Sequence, residues 1–227
     1  MERAKIAKAA LLFTGGKDSC LALLKTKNKY TIKYLLTILP SSYDSYMFHK
    51  PSLALLRAQS KALNLPLLTR KSSAQKEAEL KDLRRLFKKV KGEVNYIITG
   101  ALASVYQRNR IEKVAKKLGM KVVMPLWGLN PEALWKECIS NNFEVILTKI
   151  ACEGLGKEWL NKRIDKKLFK KFLLLSKKYR FHLTGEGGDF ETAVIYCPLF
   201  SNKIKIKGRI KSESQYRHFL IIEKVSL

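Results

Sequence analysis

The sequence predicts an α/β protein, a layered parallel-sheet domain followed by a smaller α+β domain, and three observations predict it. Strand-like and helix-like stretches alternate from residue 6 to residue 124, and such alternation implies parallel strands joined by crossover helices. The first apolar run, Ala9-Ala10-Leu11-Leu12-Phe13, stops at Thr14-Gly15-Gly16 and gives way to the helix-like Cys20-Leu21-Ala22-Leu23-Leu24, a strand, a tight loop and a helix in succession. After about Gly128 the alternation ends, and strand-like segments follow one another. The expected domains are therefore 1–128 and 129–227.

Residues 6–13 read as a buried strand and Ser19 to about Lys27 as the first helix, with Leu21, Leu23 and Leu24 toward its apolar side. Tyr30 to Leu39 is rich in β-branched and aromatic residues and reads as the second strand, broken by Pro40-Ser41-Ser42. An aromatic loop, Tyr43 to His49, follows, and Pro51 precedes a helix over Leu53 to Leu63. Leu65 to Thr69 is a short strand, Ala74 to Val90 a charged amphipathic helix, and Val94 to Thr99 a strand ending at Gly100. Val105 to Leu118 is helical, with Gly119 suited to its C-terminal cap. Val122 to Met124 is a strand stopped by Pro125. In the second domain, Pro131 to Ser140 and Asp165 to Tyr179 read as helices, and Gly154 to Asn161 as a loop or short turn. Glu144 to Ile150, Ala193 to Cys197, Lys203 to Ile210 and His218 to Val225 read as strands.

Composition narrows the function classes. The 227 residues are 46% hydrophobic, enough for a core and too apolar for a disordered chain. No apolar run reaches the length that spans a membrane, and the first run lacks a leader's cleavage site, so a cytoplasmic protein is expected. Cys20, Cys138, Cys152 and Cys197 are far apart and away from the three histidines, which argues against a zinc site. The net charge of +26 implies attraction to polyanions, so RNA or ribosome affinity is open.

Three stretches carry chemistry. Thr14-Gly15-Gly16-Lys17-Asp18-Ser19 is a phosphate cradle in kind. Adjacent glycines let amides turn inward, a helix start adds a positive dipole end, and Lys17 is a mobile cation beside two hydroxyls. It is not a Walker A loop, whose first glycine stands four residues from its Gly-Lys pair. Thr184-Gly185-Glu186-Gly187-Gly188-Asp189-Phe190-Glu191-Thr192 sets three carboxylates in a glycine-rich turn, able to hold Mg²⁺ or a cationic substrate, or simply to form a polar hairpin. Gly100 to Glu112 offers Arg108 and Arg110 to phosphates and Gln107 to a base or amide, although Glu112 also fits a charged helix face.

The first loop resembles that of the PP-loop ATP pyrophosphatases, with Thr14 for the leading serine, and this implies a HUP-type, Rossmann-like domain that cleaves ATP between its α and β phosphates. The whole chain resembles the diphthine–ammonia ligase family through residues 13–19, Asp44-Ser45-Tyr46-Met47-Phe48-His49, Tyr106-Gln107-Arg108-Asn109-Arg110, residues 185–192 and Cys197-Pro198-Leu199-Phe200. Asp189 and Phe190 stand where that family more usually has glutamate and tyrosine.

The resemblance implies an ATP-dependent amide ligase that converts diphthine on translation elongation factor 2 to diphthamide with ammonium, through an acyl-adenylate, releasing AMP and pyrophosphate. It implies ATP binding by Thr14, Gly15, Gly16, Lys17, Asp18, Ser19, Gly100 and Arg108, with Mg²⁺ on Asp18. Lys17, Asp18, Glu186, Asp189 and Glu191 are the expected catalytic residues. Tyr46, His49, Tyr106, Gln107, Arg110, Gly187, Gly188 and Thr192 are expected at the substrate, Tyr46 or Tyr106 with a cation–π face for the trimethylammonio group. Free ammonium is the expected nitrogen donor. A PP-loop enzyme acting on tRNA and a non-catalytic nucleotide- or RNA-binding module are the competing readings.

Overall fold

The computed structural model describes residues 6–41, 52–73 and 76–227. The chain divides into two compact units, one of Met1–Thr14 with Asp18–Gly128 and one of Gly15–Lys17 with Leu129–Leu227.

The first unit is a parallel sheet with crossover helices between its strands. Its elements are β1 (Ala7–Leu12), α1 (Lys17–Thr26), β2 (Tyr30–Pro40), α2 (Leu53–Leu63), β3 (Leu67–Ser72), α3 (Lys76–Lys88), β4 (Tyr96–Ile98), α4 (Val105–Lys116) and β5 (Lys121–Val123). The strand order is β3-β2-β1-β4-β5, every neighbouring pair parallel. The sheet is therefore wound outward in both directions from β1, and the order reverses between β1 and β4. In such sheets ligands sit beyond the carboxyl ends of the strands at that reversal. The loop after β1 and Gly100 after β4 occupy those ends.

Local chemistry explains the boundaries. Ala9, Ala10 and Leu11 are wholly buried, as a central parallel strand covered on both faces requires. The Ser52 and Ser104 hydroxyls accept from Leu55 N at 3.4 Å and Gln107 N at 3.3 Å, satisfying amides that the first turns of α2 and α4 leave open. Helix α1 starts at Lys17, two residues before the expected Ser19, because the turn begins directly after the glycines. Leu36, Ile38, Leu83, Leu86, Phe87, Ile97, Ile111 and Val114 share one buried core in which α3 and α4 meet the sheet.

A polar tie fastens α3 to the sheet. Burial would raise the Asp82 carboxyl, but the Arg70 guanidinium at 2.7 Å, the Ser72 hydroxyl and Arg85 outweigh it and hold the group below its ordinary range. A carboxyl with a lowered native pKa contributes stability that is present above its unfolded value and lost as pH falls through the native one. Asp82→Asn should therefore cost about 1.5 kcal/mol at pH 7. Urea unfolding of the two proteins should converge once the pH drops below the carboxylate range, and a gap that stays constant into acid would contradict the account.

The second unit comprises α5 (Pro131–Ser140), β6 (Glu144–Ala151), α6 (Lys166–Tyr179), β7 (Phe190–Tyr196), β8 (Lys205–Ser214) and β9 (Arg217–Ser226). Its sheet runs β7-β6-β9-β8, antiparallel throughout. Asn130 caps α5 by accepting from Glu132 N and Ala133 N, with Pro131 at the first helical position, where a missing N–H costs nothing. Asp165 caps α6 through Leu168 N at 2.7 Å. Phe172 of α6 centres an aromatic core, its ring 5.2 to 5.6 Å from those of Trp135, Trp159, Phe181 and Phe190. Strand β7 begins at Phe190, three residues before the expected Ala193, because the ring of Phe190 must reach this core. Strand β8 continues to Ser214, beyond the expected Ile210, because pairing with β9 holds a stretch that is exposed and has no apolar alternation.

Candidate active site

The glycine loop turns on backbone geometry. Gly15 has φ 74°, in the left-handed region, and the chain then enters α1 directly. Within the first unit, the Thr14 and Ser19 hydroxyls lie 3.4 Å apart, with Ser19 buried and Asp18 half-buried in the first turn. Gly100 packs against this turn so closely that a β-carbon on it would lie 2.7 Å from the Asp18 carbonyl carbon and 2.9 Å from Ser19 N. The ends of β1 and β4 thus form one surface, with α1 amides at its edge.

The segment Gly15–Lys17 groups with the second unit. Gly15 O accepts from Val194 N at 2.9 Å, and Lys17 N donates to Thr192 Oγ1 at 3.2 Å. The Lys17 side chain is 1% exposed. Its Nζ donates to Thr184 O at 2.7 Å and lies 5.5 and 5.7 Å from the ring centroids of Trp135 and Phe190. The expected mobile cation is thus corrected to a buried one, enclosed by two aromatic rings and fastened to a main-chain carbonyl 167 residues away. Trp135 Nε1 donates to the adjacent Leu183 O at 2.7 Å, so the same indole shapes the turn.

The acidic turn itself is tightly wound. Gly185, Gly187 and Gly188 all have positive φ, and Glu186–Gly188 form one 3₁₀ turn. Asp189 Oδ2 accepts from His182 N at 2.6 Å, so this carboxylate closes the turn. Glu191 accepts from Lys149 Nζ at 3.2 Å, both side chains 10% exposed and directly opposite on β7 and β6. Glu186 is half-buried at the turn's start. Phe190 is buried among Phe172, Phe181 and Lys17. Trp135 and Lys149 escaped the sequence reading. A lysine inside an apolar strand was the available signal for Lys149, and nothing in the sequence distinguished Trp135 from an ordinary core residue.

Cys152, next to this turn, is a useful reporter. Burial first, then the Asp189 charge, push its thiol up to about 12, against a smaller opposing hydrogen bond from the Ala151 backbone. About one molecule in ten thousand then carries the thiolate at pH 8, and the thiolate is the reactive form. Cys152 should resist iodoacetamide at pH 8 in the native protein. Asp189→Asn should speed labelling, as followed by mass spectrometry, and rapid labelling of the unaltered protein would contradict this environment.

In the first unit, the α4 side chains are largely engaged. Arg108 Nε donates to Glu112 Oε1 at 3.1 Å, with its guanidinium 5.0 Å from the Trp127 ring centroid. Arg110 Nη2 donates to Glu77 at 3.0 Å, its guanidinium stacked 4.5 Å from the Tyr106 ring centroid. One face of Tyr106 is thereby already used by a cation, and the residue remains exposed. Gln107 is half-buried in the first turn of α4. Tyr46 and His49 lie outside the described residues. No group of three His, Cys, Asp or Glu side chains able to hold a metal occurs among the described residues. No helix of the described residues is long and apolar enough to cross a membrane.

Comparison with known proteins covers both units. The family model of the diphthamide synthase N-terminal domain matches residues 7–122, and that of the diphthamide synthase C-terminal domain matches residues 130–227. The diphthine–ammonia ligases of Bos taurus and Homo sapiens are each 36% identical over 220 residues, covering 87% of this chain and 82% of theirs. That of Schizosaccharomyces pombe is 32% identical over 217 residues, 87% of this chain and 36% of its own.

Proposed function

The chain belongs to the diphthine–ammonia ligase family, and we propose that it uses ATP to join ammonium to the carboxylate of diphthine on elongation factor 2. The observation that carries this reading is the glycine loop after β1 at the reversal of the sheet, closed from the β4 side by Gly100. A polyanion suits that place because backbone amides and the α1 dipole favour negative charge.

ATP would lie with its phosphates on Thr14, Gly15, Gly16, Asp18, Ser19 and Gly100. A carboxylate is too poor an electrophile for direct attack by ammonia. The diphthine carboxylate oxygen would attack the α-phosphorus, forming a C–O–P acyl-adenylate and expelling pyrophosphate. Ammonia would then attack the acyl carbon, the C–O bond to AMP would break, and a proton lost from nitrogen would leave the amide neutral. Positioning and stabilisation of charge at the phosphates are the main tasks of such a site. Glu186 is the carboxylate in the turn best suited to the ammonium or trimethylammonio cation, because Asp189 and Glu191 already hold His182 N and Lys149. Thr192, Gly187 and Gly188 would shape that turn, while Arg108, Gln107 and Arg110 would line the nucleotide's or acceptor's approach on α4.

Magnesium, when bound, would neutralise phosphate charge. It is commonly held by one or two carboxylates with the substrate phosphates, so Asp18 alone beside the loop fits it. The reaction would take place in the cytoplasm, where the basic surface favours a polyanionic partner.

The test is AMP release from ATP with ammonium, using elongation factor 2 that carries diphthine in one reaction and bulk tRNA in another. AMP only with the elongation factor, and only with ammonium, is the expected result. AMP only with tRNA would replace the acceptor with RNA, and bound ATP without AMP in either reaction would refute the ligase reading.

A further inference from the structure

We infer that Lys17 is a positioning residue that ties the nucleotide loop to the acidic turn, rather than the cation that neutralises the phosphates. The inference rests on the reading in which the glycine loop binds ATP, and it specifies what the lysine of that loop does there.

Three contacts carry it. The Lys17 main-chain N–H is directed to Thr192 Oγ1, at the end of the turn. The Lys17 ammonium is directed to Thr184 O, at its beginning. The rings of Trp135 and Phe190 flank that ammonium, and Trp135 in turn donates to Leu183 O. One residue therefore grips both ends of the turn that carries Glu186 and Asp189. A fourth contact, Val194 N to Gly15 O, extends the grip along β7.

Burial decides between the two roles. A phosphate-neutralising lysine needs a head group that meets the ligand, and lysines in that role act as mobile point charges. At 1% exposure, Lys17 would have to break its bond to Thr184 O and leave two aromatic faces to do so. A buried ammonium that gave up its partner would carry an uncompensated desolvation cost. The lysine has the better use where it is. A displacement of Gly15–Lys17 on nucleotide binding would be passed to residues 184–192 through these contacts. By linkage, occupation of the turn by the acceptor then alters ATP affinity by the same factor that ATP alters acceptor affinity.

The experiment compares the full-length protein with Lys17→Met, which keeps length and apolar bulk but removes the donor and the charge, and with Thr192→Val. Three readouts are taken: ATP affinity by calorimetry, the split between kcat and KM for ATP, and deuterium uptake of residues 182–192 without ligand. The expected result for Lys17→Met is faster exchange over 182–192, ATP affinity within about threefold of the original, and kcat down by at least about 30-fold. Thr192→Val should show the same pattern more weakly, and the double variant should lose less than the sum, because both act on one tie. Unchanged exchange over 182–192 in Lys17→Met overturns the inference whatever the kinetics. A tenfold or greater loss of ATP affinity that accounts for the whole loss of turnover overturns it as well and returns Lys17 to the phosphates. An unaltered protein that binds no ATP would refute the proposed function, while the exchange comparison would still decide the tie.

Discussion

Gly100→Ala should lower kcat/KM for ATP by about 100-fold or more, because the added methyl has nowhere to go. Its carbon would stand 2.7 Å from the Asp18 carbonyl carbon, 2.8 Å from Asp18 O and 2.9 Å from Ser19 N. All three are main-chain atoms in the first turn of α1, so no side-chain rotation relieves the contact. Either the end of β4 or the start of α1 must shift, and Asp18 and Ser19 move with the latter. Stability should fall by about 2 kcal/mol, the usual cost of overpacking. Gly119→Ala separates the two effects. Gly119 has φ 74° just beyond α4, and nothing lies within 4 Å of its β-carbon position. That variant should lose about 1 to 2 kcal/mol from the left-handed backbone and keep its ATP kinetics. Equal kinetic losses in the two variants would mean that Gly100 acts only through stability, and the closed loop proposed here would be wrong.

The parallel sheet was legible because each of its strands alternates with a helix, and this leaves little choice but crossovers. The strand order was not, since nothing local in β4 says that it lies beside β1. Helix ends were legible where proline or glycine marks them: Pro51 precedes Leu53–Leu63, Pro131 opens α5 and Gly119 follows α4. The extent of β8 was hidden because both of its faces are exposed and only β9 holds it. At the site, the glycine loop and the acidic turn could be read from residue type and spacing, but their partners could not. A lysine after two glycines has the composition of a phosphate ligand, and its burial depends on Thr184, Trp135 and Phe190, all more than 100 positions away. Asp189 likewise reads as a free carboxylate until His182 N is found in front of it. Residue type reports what a side chain is able to do, while long-range packing decides which of those capacities is already in use.

Gly185→Ala should be the most damaging change in the acidic turn. Gly185 has φ 79°, where a β-carbon costs about 1 to 2 kcal/mol. That β-carbon would also stand 2.6 Å from Phe190 O and 3.1 Å from the Phe190 ring. Phe190 cannot retreat freely, because its ring is packed against Phe172 and Phe181 and lies beside the Lys17 ammonium. Overpacking there adds about 1 to 3 kcal/mol, for a total of about 3 kcal/mol. Gly187→Ala is the matched comparison. Its φ is 80°, but its β-carbon would point into open space. It should therefore lose only the backbone part. Urea midpoints with unchanged slopes measure both losses. The two variants should also divide kinetically under the proposed ligase reaction. Gly185→Ala moves the segment that Lys17 grips and should lower kcat, whereas Gly187→Ala lies at the exposed tip and should act mainly on KM for the acceptor. Equal midpoints would show that the turn tolerates a side chain against Phe190, and that its place is set by something other than the packing of Gly185 on the aromatic core.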